Sequence, residues 1–104
     1  MSQNDFTLAN QSFPAFRADL NSALQALASN NSGATAPSTT FANMWWYETD
    51  TNILYIRNED NDAWIVFAEL DQTNDTFKFN GLEVDGNLSI DGGTIKLDGN
   101  YPVG

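Results

Sequence analysis

Residues 43–67 read NMWWYETDTNILYIRNEDNDAWIVF. Three apolar runs, Asn43–Tyr47, Ile53–Arg57 and Ala63–Phe67, are separated by Glu48–Asn52 and by Asn58–Asp62. The runs are aromatic and β-branched, which suits a pleated surface. The spacers are rich in Asp, Asn and Thr, which suit turns. The pattern predicts a small antiparallel meander of about three strands within residues 41–70. Successive strand residues point to opposite faces. Trp45 and Tyr47 then oppose Met44 and Trp46, Ile53 and Tyr55 oppose Leu54 and Ile56, and Trp64 and Val66 oppose Ile65 and Phe67. Both faces are apolar, so both call for cover. One helix covers one face. The other needs a second subunit, another part of the chain or a ligand.

Upstream, residues 12–29 carry that helix. Ser12 suits an N-cap, and Pro14 falls in the first turn, where its missing N–H is harmless. Phe13, Phe16, Leu20, Ala23, Leu24 and Leu27 recur at spacings of three and four. Five of them, Phe13, Phe16, Leu20, Ala23 and Leu27, follow a 3-4-3-4 order. That order fits a helix packed on its own domain, and it fits a short bundle about a three-fold axis; two heptads do not decide between them. Asn30-Asn31-Ser32-Gly33 ends the helix, with Asn or Gly adopting a left-handed cap. Residues 33–40 are a loop of small polar residues around Pro37. Residues 1–11 are a polar lead in which Phe6 and Leu8 alternate, as in a short edge strand or an extended arm.

Downstream, Asp71–Asp75 reads as a polar linker and Thr76–Phe79 as a short alternating strand. Asp-Gly turns follow at 85–86, 91–92 and 98–99. Between and around them lie Leu82/Val84, Leu88/Ile90 and Ile95/Lys96/Leu97. Strands this short build no core within one chain. Short strands repeated with Gly-rich turns suit a β-solenoid or an intertwined prism of several chains. The pattern is interrupted at Tyr101–Gly104, so a longer parent protein is expected.

Composition narrows the chemistry. A chain of 104 residues with 41% apolar residues supports one modest core, and oligomerisation is the usual remedy where disulfides and metals are missing. There is no cysteine and no histidine, which removes Ser-His-Asp and Cys-His catalysis. The net charge of −10 comes from 14 acids and 4 bases, and Arg17, Arg57, Lys78 and Lys96 are scattered. Nucleic acid and anionic membranes are therefore poor partners. Residues 1–40 hold only Asp5, Arg17 and Asp19, leaving 12 acids and 3 bases for the remainder. A nearly uncharged start suits a docked or buried surface. No apolar run reaches the roughly 20 residues of a membrane span, and the start lacks the features of a secretory signal. Synthesis in the cytoplasm is expected.

The acids Glu48/Asp50 and Glu59/Asp60/Asp62 fall in predicted turns, where local hydrogen bonding explains them better than a glycosidase pair. No phosphate-cradling or EF-hand pattern occurs. No catalytic, metal or cofactor-binding residue is expected. The aromatic cluster Trp45, Trp46, Tyr47, Tyr55 and Trp64 reads as core and subunit interface, with sugar stacking as the lesser alternative.

Three groups of residues carry a family resemblance. The first is Asn10-Gln11-Ser12 with Phe16-Arg17-Ala18-Asp19-Leu20-Asn21-Ser22-Ala23-Leu24. The second is Asn31–Thr40. The third comprises Met44–Tyr47, Asn52–Asn58 and Asp62–Ile65. Together they resemble the amino-terminal module of tail fibre proteins of marine phages, especially cyanophages. Val84–Ser89 and Gly93–Asp98 resemble the start of fibre shafts in the same group. The resemblance covers roughly residues 5–100. It implies a non-enzymatic homotrimer in the virion tail, made in the host cytoplasm. The implied partners are the tail tube, baseplate or an adaptor protein, with a host surface glycan met by a distal region.

The expected fold is thus α+β: an N-terminal helix, a small antiparallel meander, then a short-stranded β shaft, in an intertwined homotrimer. Residues 1–40 form the attaching and trimerising part, 41–70 the β domain, and 71–104 the linker and shaft start. Phe6, Leu8, Phe13, Phe16, Leu20, Leu24 and Leu27 are the expected trimer or docking contacts. Trp45, Trp46, Tyr55, Trp64 and Phe67 are the expected core or interface of the β domain. Two alternatives are a carbohydrate-binding receptor-recognition module and the non-catalytic head of a tailspike depolymerase.

Overall fold

The computed structural model describes residues 3–95. It contains one helix, α1 (Phe13–Ala28), and four strands, β1 (Trp45–Glu48), β2 (Ile53–Arg57), β3 (Trp64–Asp71) and β4 (Thr76–Lys78). The α+β class expected from the sequence is the one observed. Turns expected at Lys96–Gly104 lie outside the described residues.

Helix α1 begins as the sequence predicts. Ser12 holds the N-cap position in an extended conformation, and Pro14 sits in the first turn. The cap works through the backbone alone: the Phe16 amide donates to the Ser12 carbonyl at 2.8 Å, and the Ser12 side chain makes no capping bond. The helix ends on two left-handed residues, Asn30 (φ 56°) and Asn31 (φ 54°). Asparagine tolerates this region better than most residues. Their amides donate back to Leu27 and Ala26 carbonyls at 3.2 and 2.7 Å, closing the last turn.

The sheet is a simple meander in the order β1-β2-β3-β4, antiparallel throughout. The meander has four strands rather than about three, because the short strand expected separately at Thr76–Phe79 joins the same sheet. Thr76–Lys78 pairs with Glu69–Asp71, and the expected linker Asp71–Asp75 is the hairpin turn between them. The reason is local. Asp71 accepts the Thr73 and Asn74 amides on Oδ1 at 3.0 and 3.1 Å and the Asn74 side-chain amide on Oδ2 at 2.9 Å. Asp75 then turns the chain with φ 57°. The other two turns also end on left-handed asparagines, Asn52 (φ 61°) and Asn61 (φ 55°). Between Leu54↔Ala68 and Tyr55↔Val66 the register slips, leaving Phe67 as a bulge in β3.

Beside β1 runs the segment after the helix. Tyr47 donates its amide to Asn30, Gly33 donates to Tyr47, and Thr49 donates to Gly33, each within 3.1–3.2 Å. Gly33 thereby bridges Glu48 in parallel, and the outer edge of β1 is covered. The amino-terminal arm forms no strand, unlike one of the two forms expected of it.

The helix does not cover the sheet. No Cα of α1 comes within 8 Å of a strand Cα. The sequence analysis expected the stripe to shield one face, and this is corrected: the helix leaves along its own direction at the Asn30-Asn31 corner. The chain is correspondingly long, 67 × 32 × 24 Å, with a radius of gyration of 18.7 Å. A compact domain of this length has about 13 Å. Residues 79–95 form no strand within the single chain and are exposed. The expected short strands of the shaft are therefore absent here. Their turns do occur: bends sit at 85–86 and 91–92, with Gly86 and Gly92 at φ 120° and 79°.

Candidate functional site

The register sorts the sheet residues onto two faces of opposite character. Trp46, Tyr55 and Val66 share one face, with Glu48, Ile53, Arg57, Trp64, Glu69, Asp71 and Lys78. Every charged side chain of the strands lies on this face. Trp46 stacks on Tyr55 at 4.7 Å and 13°, and Trp64 leans against both. Trp46 is 7% exposed, the one buried large side chain among the described residues. Its indole N–H donates to the Gly33 carbonyl at 3.2 Å. The Arg57 guanidinium lies 4.9 Å over the Trp64 ring, and two bonds to Asn61 hold it there. Tyr55 donates its hydroxyl to Glu48 at 3.2 Å. Burial, then this bond and the Glu48 charge, push the Tyr55 phenol above its ordinary 10.0. The cluster is thus a miniature core closed by its own chain. One ring face of Trp46 is taken by Tyr55 and one of Trp64 by Arg57.

The opposite face carries Trp45, Tyr47, Leu54, Ile56, Ile65, Phe67, Leu70 and Phe77, and it holds no charge. Edge-to-face rings run across it: Trp45 to Phe67 at 5.4 Å, Phe67 to Phe79 at 5.9 Å, Phe79 to Phe77 at 5.4 Å. Such pairs organise an apolar surface; Ala68, paired with Leu54, is buried on it and Trp45, Tyr47, Leu54, Ile56 and Leu70 are half-buried, while its β3–β4 part stands open. Ile65 is 52% exposed, Phe67 48% and Phe77 62%. Among the residues expected in the β-domain core, Trp46 is buried, Trp45, Tyr55 and Trp64 are half-buried, and Phe67 is exposed.

The helix shows the same imbalance. Its buried residues are Ala23 and Ala26, on one flank. The large side chains Phe13, Phe16, Leu20, Leu24 and Leu27 are all exposed, from 37% to 72%. The structure thus turns the small residues inward and the expected contact stripe outward. Leu8 is likewise exposed, and Phe6, held at φ 59°, meets Phe41 edge-on at 6.0 Å.

One polar joint fixes the helix to the sheet. Asn31 is 4% exposed and donates its side-chain amide to the Trp45 carbonyl at 2.8 Å, while its Oδ1 has no partner. Gln3 donates to the Asn31 and Thr35 carbonyls at 3.2 and 2.7 Å, stapling the arm across the loop. A Cβ on Gly33 would stand 2.7 Å from the Gln3 amide nitrogen, so the staple requires glycine there. Sequence reasoning read Asn31 and Gly33 as cap residues alone. Gln3 carried no signal, since one glutamine in a polar lead resembles any other.

The depression bounded by Asn52, Glu69, Asp71, Thr76 and Lys78 is open and holds an exposed Lys78–Glu69 pair at 3.5 Å. Among the described residues no group of acids is placed to hold a metal ion, and no helix is long and apolar enough to cross a membrane. Comparison with known proteins finds no family model, no curated protein and no solved structure that matches the chain.

Proposed function

We propose that this chain is the virion-attaching segment of a phage tail fibre, a structural module that assembles as a homotrimer. The observation that carries the reading is the uncovered apolar surface: the α1 stripe and the β3–β4 part of the uncharged sheet face stand exposed on an elongated chain. Each large apolar side chain covered by a neighbour contributes about 1.5–3 kcal/mol, so shared surface supplies what a single copy lacks. Charge supports the same reading. Copies with a net charge of −10 repel one another, and the two exposed apolar surfaces are where that repulsion is least. The turns at Gly86 and Gly92 space short apolar segments that pair with no strand among the described residues, as at the start of an intertwined shaft. In this reading residues 1–40 attach and trimerise, 41–70 form the subunit-contacting β domain, and 71–104 lead into the shaft. The resemblance to marine phage tail fibres supplies the biological setting: a fibre docked on the tail tube, baseplate or an adaptor, with a distal region meeting the host.

Multi-angle light scattering on the purified chain tests the assembly. Three chain masses at micromolar concentration are expected, and a monomer across the accessible range would sink the proposal. Binding of the oligomer to isolated tail or baseplate proteins tests the docking.

A further inference from the structure

We propose that Asn80 is a self-modification site: its side-chain amide is lost to the Gly81 backbone nitrogen, and the chain ages there to aspartate and isoaspartate. The inference is independent of the fibre reading, since one copy of the chain suffices for it.

The sequence holds a single Asn-Gly step, Asn80-Gly81. The Gly81 amide nitrogen, on losing its proton, attacks Cγ of Asn80. A C–N bond forms, the Cγ–Nδ2 bond breaks, and the side-chain nitrogen leaves as ammonia with that proton. Water then opens the resulting cyclic imide. Opening at Cγ gives aspartate; opening at the backbone carbonyl gives isoaspartate. Water is the one co-reactant, and the attack itself is intramolecular, which spares the entropy of bringing two molecules together.

The structure leaves both reacting groups free. Asn80 and Gly81 are exposed, and neither makes a hydrogen bond among the described residues. Gly81 holds φ 110°, a region that glycine enters at little cost, and a Cβ built on it would meet nothing within 4 Å. No neighbouring atom crowds the nitrogen, and residue 81 has no side chain to shield it. Asn80 is also where the chain leaves the sheet: the Phe79 ring before it packs edge-on against Phe67 and Phe77.

Other asparagines are protected. Asn31 is 4% exposed. Asn52, Asn58, Asn61 and Asn74 commit side-chain atoms to hydrogen bonds, and a residue with a side chain follows each. Asn87 makes the sharper comparison. It is exposed in the same segment, but the branched side chain of Leu88 screens the nitrogen it would need. The Asp-Gly bends at 85–86 and 91–92 share the glycine, yet they must expel water, and a carboxylate resists attack by a nitrogen anion.

The product changes the exit from the sheet. Isoaspartate routes the backbone through Cβ and Cγ, adding a carbon to the main chain just after β4, and the new carboxylate takes the net charge from −10 to −11. Residues 81–95 are re-aimed while the β1–β4 pairing is left alone.

The full chain, held warm at mildly alkaline pH and sampled over weeks, tests this by peptide mapping with mass spectrometry. A gain of about 1 Da is expected at Asn80, split between two separable products. It should run at least about tenfold ahead of Asn87, a barrier difference of about 1.4 kcal/mol. Gly81→Ala should slow it by about tenfold as well, with the sheet checked by circular dichroism. Asn80→Gln, which keeps the amide but needs a larger ring, should stop it without touching Gly81. The inference is overturned if Asn87 keeps pace, if Gly81→Ala changes nothing, or if Asn80 persists in the chain while a synthetic peptide of residues 77–84 reacts.

Discussion

At the residue scale, asparagine and aspartate determine the backbone path. Asn30, Asn31, Asn52, Asn61 and Asp75 all hold left-handed conformations at corners, which other non-glycine side chains adopt at greater cost. Asn31 combines this with a side-chain bond to Trp45 under full burial. Asn31→Ala should therefore lower the stability of the sheet by about 1–2 kcal/mol, since the Trp45 carbonyl loses its donor and a less tolerant residue enters the corner; the urea midpoint reads this, and an unchanged midpoint would refute it. Asp71 gives a pH-dependent counterpart. Its hydrogen bonds from the Asn74 side chain, then from the Asn74 and Thr73 amides, hold its carboxyl below the ordinary 3.8. A depressed folded value means its contribution is complete above the unfolded value and is lost as pH falls through the folded one. Amide exchange at Thr73 and Asn74 should accelerate in that acidic window while the β1–β2 turn keeps its protection. Equal loss in both turns would point to general acid unfolding.

At the element scale, the helix and the sheet are each half-finished. The sheet closes its charged face with Trp46, Tyr55, Trp64 and Arg57, and leaves the β3–β4 part of its uncharged face open. The helix buries two alanines and leaves five large side chains partly in water, Phe16 and Leu20 by little more than a third and Phe13 by 72%. Because Leu24 and Leu27 are more than half exposed and Leu20 more than a third, replacing such leucines should separate assembly from folding. Leu20→Ser with Leu27→Ser should weaken self-association by at least tenfold, the loss of about 1.4 kcal/mol, while the secondary structure of the single chain stays unchanged. Sedimentation velocity across a dilution series measures the first and far-ultraviolet circular dichroism the second. A coupled loss of both would mean the stripe supports the fold of the single chain.

At the scale of the whole molecule, the radius of gyration of 18.7 Å describes elements strung along an axis, a shape that exposes surface for neighbours to share. Much of this was legible in the sequence. The period of three and four in Phe13–Leu27, the Pro14 start and the Asn30-Asn31 stop fixed α1 to within a residue at each end. The polar spacers 48–52 and 58–62 placed the first two strands and the start of the third, which runs on to Asp71 past the expected Phe67, and side-chain alternation sorted the faces up to the bulge at Phe67, where the period of two is interrupted. The short strand at Thr76–Phe79 was read, but its pairing with β3 was not, because Asp71–Asp75 has the composition of a linker and of a tight turn alike, and only the bonds to Asp71 distinguish them. The direction of the helix was missed for a deeper reason. Periodicity tells which side chains lie together on an element; it does not tell which other element they meet. That choice was made by long-range hydrogen bonds, from Asn31 to Trp45 and from Tyr47 to Asn30, between residues that no local pattern connects.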